Sequence, residues 1–528
     1  MNGLETFLHQ LHFDVVKTKP PDLTVDWEDG PLAYKLYRGL PTVSLAPEVP
    51  LTLERGARQA KADLRSIGHL LWYSFGLSQM SQSVNEPVYS EQTTELLESF
   101  RRFAPSGGAL YPNECYVYLK AEDLPAGVYH YDAAHHRLVL LREGIFDSFL
   151  SRALGNRFDL SACFGAVFVS TMFWKNFYKY HNFAYRLQGL DAGVLIGQLL
   201  EAAKRFGYVP GVSFRFLDRA VNRLLGLTEQ EESVYAVIPL SVRRRDPCLT
   251  ERRSEESRVS ASSLCRELEP VRHQHFVKSR RVKAFPMLIQ MNEASMLETI
   301  PPLELRYGKE EGILRLGQTV FLPRAERLSY DLASVSRKRH SPNQDFAMGK
   351  VSQTQLAVLL QEATASFRYA NDLDGAPKNN VSRVTLYCCL YNVEGVPDGA
   401  YRYDESGHLL QRIRQGDHRL VLQLGLSVDN VNMLQVPLCF HVAGNRDHHL
   451  PELGYRGYRI QQMEAGMLVQ RLLLAASAIG MGGHPLLGFD ARLSDELYRM
   501  PANGTTSLIQ IPVGPYRPSP RLSGGLHG

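Results

Sequence analysis

Residues 185–207 read YRLQGLDAGVLIGQLLEAAKRFG, and residues 458–480 read YRIQQMEAGMLVQRLLLAASAIG. The two stretches align at an offset of 273 residues (458 against 185), and each ends at a glycine. In the first stretch, apolar residues recur from Leu190 at the spacing i, i+4, i+5 and i+9. This spacing is typical of a largely buried helix. The sequence therefore predicts the same buried helix twice.

Three further pairs of segments keep nearly the same offset. They are 129–132 (YHYD) with 401–404 (YRYD), 235–239 (YAVIP) with 508–512 (LIQIP), and 104–105 with 376–377 (both AP). Chance likeness between amphipathic helices would account for the helix alone and not for a series of elements in one order. A series at a fixed period indicates duplication of a structural unit.

Short runs rich in Val, Tyr and Phe lie at matching places in both halves and predict strands. These runs are 114–120, 166–173 and 233–242 in the first half, and 384–392, 437–444 and 507–514 in the second. Helices and strands alternate irregularly, which favours an α+β fold over a strict βαβ series. We predict a lead-in segment at 1–50, domains at 51–245 and 284–528, and an Arg-, Ser- and Glu-rich linker at 246–283.

The composition excludes several classes of protein. The chain has 528 residues, 44% apolar and 22% charged, which is typical of globular domains. The net charge of +4 is too small to predict a nucleic-acid partner. No run of 18 apolar residues predicts a membrane span, and the first residues lack the pattern of a secretory signal. Seven scattered cysteines without a C-x-x-C pair predict reduced thiols in a cytoplasmic protein and no metal site.

The first candidate site is a turn formed by Pro105, Ser106, Gly107 and Gly108, directly before a predicted strand. Adjacent glycines let the backbone approach a flat or anionic ligand closely. The corresponding stretch of the second half, residues 377–380, has no Ser-Gly-Gly. Taken alone, the motif favours interpretation as a surface turn.

The second candidate is a cationic, hydroxyl-bearing cluster that precedes a predicted helix at 351–363. It consists of Arg337, Lys338, Arg339, His340 and Ser341. Arginine and hydroxyl groups at this spacing suit a phosphate monoester. The first half has no Arg-His-Ser before its own helix, and the alternative interpretation is an exposed basic loop.

The third candidate is Lys179 with Tyr180, just before the repeated helix. A lysine beside a tyrosine can move protons where its surroundings lower the pKa of the amine. In the second half the corresponding residues are Glu452 and Leu453. Five positions near the C-terminal end complete the candidate ligand-binding set. They are Gly480, Gly482, Gly483, Arg517 and Arg521.

Together these motifs resemble the SagB/ThcOx-type dehydrogenases of the flavin-dependent nitroreductase superfamily. Residues 105–112 (PSGGALYP) are similar to that branch's signature, and residues 31–37 (PLAYKLY) to its lead-in stretch. Residues 339–341 (RHS) resemble the R-x-S motif that holds the FMN phosphate and ribityl chain. Lys179 and Tyr180 match the pair of the azoline-oxidising members, and residues 191–193 (DAG) match the start of the following helix.

The resemblance implies two tandem nitroreductase-like domains that form an intramolecular pseudo-dimer. In the family, FMN lies between two subunits: one holds its phosphate and the other places the Pro-Ser turn against its ring. Here the R-x-S motif occurs only in the second half, whereas the turn and the Lys-Tyr pair occur only in the first. The sequence therefore predicts one composite FMN site per chain, with Lys179 and Tyr180 as its catalytic residues.

The activity implied is oxidation of a peptide thiazoline or oxazoline to the thiazole or oxazole, with molecular oxygen as the electron acceptor. The substrate is either ribosomally made or attached to a carrier protein of nonribosomal synthesis, and the enzyme is either a monomer or a homodimer. Two alternatives stay open: an NAD(P)H-dependent nitro or quinone reductase of the same superfamily, and a flavin-free tandem binding module.

Overall fold

The structure is a computed structural model that describes residues 3–18, 25–54, 61–85, 95–242, 259–302, 318–365, 369–374, 382–517 and 522–525. Its helices are α1 Gly3–Phe13, α2 Leu64–Phe75, α3 Asp147–Ala153, α4 Trp174–Tyr180, α5 Ala184–Arg205, α6 Asp218–Leu225, α7 Ala261–Arg266, α8 Pro286–Ala294, α9 Leu332–Lys338, α10 Gln353–Ala365, α11 Arg419–Leu424, α12 Leu450–Leu453, α13 Arg456–Ala478 and α14 Ala491–Leu497. Its strands are β1 Thr42–Ser44, β2 Leu77–Asn85, β3 Glu95–Arg102, β4 Asn113–Leu119, β5 Gly127–Asp132, β6 Arg137–Glu143, β7 Gly165–Met172, β8 Val209–Val212, β9 Glu232–Ser241, β10 Thr319–Phe321, β11 Ala370–Asn371, β12 Thr385–Leu390, β13 Gly399–Asp404, β14 Leu409–Gln415, β15 Leu438–Asn445, β16 Gly482–Gly483, β17 Thr505–Gly514 and β18 Leu522–Gly525.

The two halves build matching sheets. The first has the order β1-β6-β5-β4-β7-β9-β8-β11, and the second has the order β10-β14-β13-β12-β15-β17-β16. The registers agree as well: Tyr116 lies opposite Phe168 in the first sheet, and Cys388 lies opposite Phe440 in the second. Each second-sheet residue lies 272 positions after its first-sheet counterpart, so the predicted duplication and the predicted central strands are confirmed.

A short strand of the second half completes the first sheet. In β11, Ala370 and Asn371 pair in parallel with Gly211 and Val212 of β8. The next residue, Asp372, accepts hydrogen bonds from the Ser213 hydroxyl at 2.8 Å and from the Phe214 backbone N–H at 2.9 Å. The first sheet therefore depends on a segment from the other half.

The repeated helices α5 and α13 pack side by side between the sheets, where nearly all of their residues are buried. Residues at the same repeat position face each other. Tyr185 stacks on Tyr458 with ring centroids 5.9 Å apart, and Gly189 and Gly197 contact Gln462 and Gln470. Such same-position contacts require the two helices to run in the same direction, along the pseudo-two-fold axis.

The helices approach most closely at their shared glycine. A Cβ atom on Gly193 would overlap the Met463 carbonyl, and one on Gly466 would overlap the Leu190 carbonyl. Each glycine lies 273 positions from the other, as does Leu190 from Met463, so the contact is repeated by the pseudo-symmetry. Only residues without a side chain let the two backbones come this close.

The described part of the predicted linker packs on the first half. In α7, Ala261 and Leu264 are fully buried in the apolar cluster of α3 and α6. His275 forms a β-bridge with Tyr37 of the lead-in segment. The proposed domain bounds stay a prediction. Among the helices that the structure describes, none is long and apolar enough to cross a bilayer.

Replacing Gly193 by alanine is expected to destabilise the fold by about 1–3 kcal/mol, because the added methyl group would overlap the Met463 backbone, which cannot move aside easily. Urea unfolding followed by circular dichroism measures the loss. Gly68→Ala is the matched control, since this glycine of α2 has only the Leu45 side chain near its virtual Cβ and alanine favours helices. Equal stability of the two variants would contradict a backbone contact at Gly193.

Candidate active site

The turn at residues 105–108 lies between β3 and β4, and hydrogen bonds to Asp191 and Tyr111 hold its shape. The Ser106 hydroxyl donates to Asp191 of α5 at 2.6 Å and accepts from the Tyr111 N–H at 3.0 Å. The Gly107 N–H donates to the same Asp191 carboxylate at 3.1 Å. Gly108 has φ +65°, a conformation that favours glycine. The sequence signal of Ser-Gly-Gly thus corresponds to a tight turn attached to the central helix.

The structure brings Lys179 and Tyr180 to this turn. They end α4, and a Cβ atom on Gly108 would overlap the Tyr180 hydroxyl and lie 3.0 Å from Lys179 Nζ. Gly108 is therefore required for the backbone to fit beneath the pair. Lys179 Nζ lies 5.0 Å from the ring centroid of Trp27 and 5.1 Å from that of Tyr180, within cation–π range.

The environment keeps the Tyr180 phenol protonated. Burial raises the pKa of Tyr180, and the nearby carboxylate of Asp191 and the phenol of Tyr178 raise that pKa further. A protonated phenol donates a hydrogen bond and does not act as a base at neutral pH. Tyr180 is thus chemically suited to orient a ligand or hold a proton.

Arg339 is a buried cation at the edge of the same turn. It follows α9, is 4% exposed, and donates from Nε to the Phe103 carbonyl and from Nη1 to the Ser341 hydroxyl, both at 3.4 Å. Burial and the neighbouring Arg101 guanidinium lower the pKa of Arg339 to about 9. None of the described carboxylates forms an ion pair with Arg339. A buried guanidinium without an acidic partner is an anion-binding feature.

Some of the other predicted ligand-binding residues contact the chain that follows Arg339. The Gly483 N–H donates to the His340 carbonyl at 3.2 Å, and the His340 ring stacks on Tyr516 at 4.9 Å. A Cβ atom on Gly482 would overlap the Pro342 ring. Gly480 follows α13 with φ +78°, and the Arg517 N–H donates to the Asp345 carbonyl. Arg337 donates to the Tyr73 hydroxyl at 2.9 Å, while Arg521 lies outside the described residues.

A buried ion pair holds the lead-in segment against the first half. Lys35 Nζ lies 2.6 Å from the Glu232 carboxylate, and both side chains are at most 5% exposed. Two residues earlier, the Ala33 carbonyl accepts a hydrogen bond from Arg102, the last residue of β3. This anchor places the lead-in chain beside α4, where Trp27 meets Lys179.

In the second half, ion pairs close the position that corresponds to Asp191. Its counterpart Glu464 bonds to Arg383 at 2.6 Å and accepts from the Tyr369 hydroxyl at 2.8 Å. Arg383 also pairs with Asp374, and the side chains of Arg383 and Glu464 are at most 3% exposed. Residues 377–380, predicted to replace the turn here, lie outside the described residues.

Asp191 and these ion-paired residues were missing from the predicted site. Asp191 was noted only as the start of the repeated helix, although the offset of 273 already pairs it with the longer Glu464. Arg383 gave no signal, because its two acidic partners lie at sequence distances of 9 and 81 residues.

Residues 84–240 match the family described as the nitroreductase family, so this part of the chain is a nitroreductase-superfamily domain. The trifolitoxin-processing protein TfxB of Rhizobium leguminosarum bv. trifolii is 32% identical over 148 residues, which are 26% of this chain and 39% of that protein. A protein of Methanocaldococcus jannaschii named as a nitroreductase is 28% identical over 131 residues, 24% of this chain and 63% of that protein. The matched part thus spans less than two thirds of either relative.

A crystal structure of a protein named as a nitroreductase, from Anabaena variabilis ATCC 29413, superposes with a TM-score of 0.74 at 21% identity, covering 97% of this chain and 99% of that one. This likeness extends to both halves. The chain has the nitroreductase-like α+β fold throughout, and the predicted fold class of two tandem domains is confirmed. Proteins of the superfamily are generally oxidoreductases that bind FMN.

Proposed function

We propose that this protein is a SagB/ThcOx-type, FMN-dependent oxidase that converts a peptide thiazoline or oxazoline to the aromatic azole. One observation carries the proposal. The turn of the first half has Lys179 and Tyr180 at Gly108 and has Arg339 of the second half at Phe103. Motif fragments that the sequence divides between the two halves thus contact one segment of the chain, residues 103–108.

The residues present fit FMN. Arg339 is a buried cation that no described carboxylate neutralises, so a phosphate would supply the missing charge. Ser341 already bonds to Arg339 and would add a hydroxyl, with Arg337 nearby. Leu187 and Tyr180 occupy the space where Cβ atoms of Gly107 and Gly108 would lie, but the backbone of Gly108 stays exposed and that of Gly107 partly exposed. This exposed peptide backbone suits a flat ring.

FMN, when bound, supplies a two-electron acceptor for hydride, and we propose that molecular oxygen takes the electrons away. Aromatisation of an azoline removes two hydrogens, one of them as a proton. The raised pKa of Tyr180 keeps its phenol protonated, so we assign Tyr180 to orienting the ring. Proton removal from the ring carbon then falls to the Lys179 amine in its neutral form.

A peptide substrate is supported by the relative whose name describes trifolitoxin processing. We propose that the azoline is part of a heterocyclised peptide, either free or attached to a carrier protein. The relative named as a nitroreductase favours NAD(P)H-dependent nitro reduction as a second candidate. Anaerobic mixing with a thiazoline peptide or with NADPH separates the two, because each activity bleaches the flavin with its own reductant.

The composite site predicts one FMN per chain at saturation. The counterpart of Asp191 in the second half is closed by the Arg383–Glu464 ion pair and has no matching turn in the sequence. Flavin absorbance against protein concentration, after dialysis with excess FMN, measures the ratio. Two flavins per chain would refute the composite site.

Arg339→Ala is expected to weaken FMN binding about ten- to a hundredfold, because a charge-assisted hydrogen bond is worth about 1.5–3 kcal/mol. Fluorescence quenching of free FMN measures the dissociation constant. Lys338→Ala is the control: it also removes one positive charge, but from an exposed side chain next to Arg339 in the sequence, and it should bind FMN normally. Equal FMN affinities of the two variants would show that residues 337–341 are an ordinary basic surface and not a phosphate site.

Lys179→Ala is expected to remain folded and yellow, yet to oxidise a thiazoline peptide about 10²–10⁴-fold more slowly, since proton transfer by a placed side chain contributes that much. Tyr180→Phe should slow it less, because its role is orientation. Single-turnover flavin bleaching under anaerobic conditions measures both. Tyr178→Phe removes a neighbouring hydroxyl as the control. Bleaching at the unmodified rate in the Lys179→Ala, Tyr180→Phe double variant would remove the pair from the mechanism.

A further inference from the structure

The carboxylate of Asp191 is the residue on which the turn depends. It lies in the second turn of α5 with 7% of its surface exposed. One oxygen accepts from the Ser106 hydroxyl at 2.6 Å and from the Gly107 N–H at 3.3 Å, and the other accepts from the same Gly107 N–H at 3.1 Å. Because Ser106 also accepts from the Tyr111 N–H, this one carboxylate holds the middle of the turn and, through Ser106, the backbone that follows it.

Asp191 differs from ordinary buried carboxylates in having no cation beside it. Among the described residues, none forms an ion pair with Asp191, and burial raises its pKa to about 7. Its pseudo-symmetric counterpart Glu464 is instead paired with Arg383. A buried carboxylate without a cation costs folding free energy. Asp191 lines a pocket together with Pro105 and Ser106, and such a cost at a pocket indicates a functional role.

The position of Asp191 makes it a rigid support. Two residues later, Gly193 packs against the backbone of α13 at the closest approach of the two halves. On the other side, the turn places Gly108 against Tyr180 and Lys179. Asp191 thus connects the rigid core to the backbone that contacts the proposed catalytic pair.

Resting on the proposed function, we propose that Asp191 is a positioning residue of the flavin site, which holds Ser106 and Gly107 so that the turn presents a fixed backbone surface to the flavin ring. In this role the Ser106 hydroxyl is used inside the protein: it donates to Asp191 and is not a hydrogen-bond donor to the cofactor. Side chains that keep the two hydrogen bonds should therefore preserve the site, whether or not they carry a charge.

The test compares Asp191→Ala, Asp191→Asn and Ser106→Ala by FMN titration and by the visible absorption spectrum of bound FMN. Asp191→Ala loses two hydrogen bonds to the turn, and we expect its dissociation constant to rise about tenfold or more, with shifted flavin bands. Ser106→Ala should behave similarly but more mildly. Asp191→Asn should stay within about threefold of the unmodified protein, because its amide oxygen can accept from both donors.

Glu464→Gln is the matched control, an amide substitution at the pseudo-symmetric position. It should lower the melting temperature, because it leaves the buried Arg383 with a weaker partner, while FMN affinity stays unchanged. The positioning role is overturned if folded Asp191→Ala binds FMN with unchanged affinity and spectrum. It is also overturned if Asp191→Asn is as defective as Asp191→Ala.

The proposed function and the positioning role fail in different ways. Protein that binds FMN but oxidises no azoline, with Asp191→Ala weakened and Asp191→Asn normal, would refute the substrate and keep the positioning role. An unmodified protein that binds no FMN would refute both. Normal azoline oxidation with unchanged FMN binding in Asp191→Ala would refute the positioning role alone.

Discussion

The backbone contact between α5 and α13 at Gly193 and Gly466 determines how the two halves fit together. Any side chain at either position would overlap a carbonyl of the opposite helix. The contact holds the helices close enough for Tyr185 and Tyr458 to stack and for both helices to be buried on nearly all sides. A sheet then covers each outer side. The two halves therefore share one core.

A shared core lets the two halves diverge at their outer sites without losing the fold. At the second-half position, Glu464 is held by Arg383 and Tyr369, so each buried charge has a partner. At the first-half position, Asp191 has only neutral donors and remains easier to protonate. The ion pair stabilises the fold at Glu464, whereas the buried carboxylate of Asp191, which has no such partner, costs folding free energy. This asymmetry follows from a shorter acidic side chain and the absence of an arginine opposite it.

The sequence was sufficient for the elements that repeat or that bury a continuous apolar face. Both central helices and the central strands were predicted within about two residues, because apolar periodicity and the constant offset reinforce each other. The sequence also selected the candidate motifs. In the structure Lys179 and Tyr180 lie at Gly108 and Arg339 bonds to the Phe103 carbonyl, while their role in a site stays a prediction.

The elements that escaped prediction depend on contacts between distant parts of the chain. The two-residue strand β11 is too short for a periodic signal, and its partner β8 lies about 160 residues earlier. In α7 the polar composition hides the two apolar residues that fasten the predicted linker to the first half. From the sequence Asp191 is only a helix residue, because its partners, Ser106 and Gly107, lie on a turn 85 and 84 positions away.

The lead-in segment shows how a distant buried ion pair bears on the chemistry of the candidate site. Lys35 and Glu232 are almost completely removed from water, so separating them would leave a charge buried without a partner. That penalty holds the lead-in chain against β3, and the same chain carries Trp27 to Lys179 Nζ. An aromatic face stabilises the ammonium form of a lysine. The lead-in segment, which also contributes β1 to the first sheet, therefore supplies an aromatic ring against Lys179 Nζ at the candidate site.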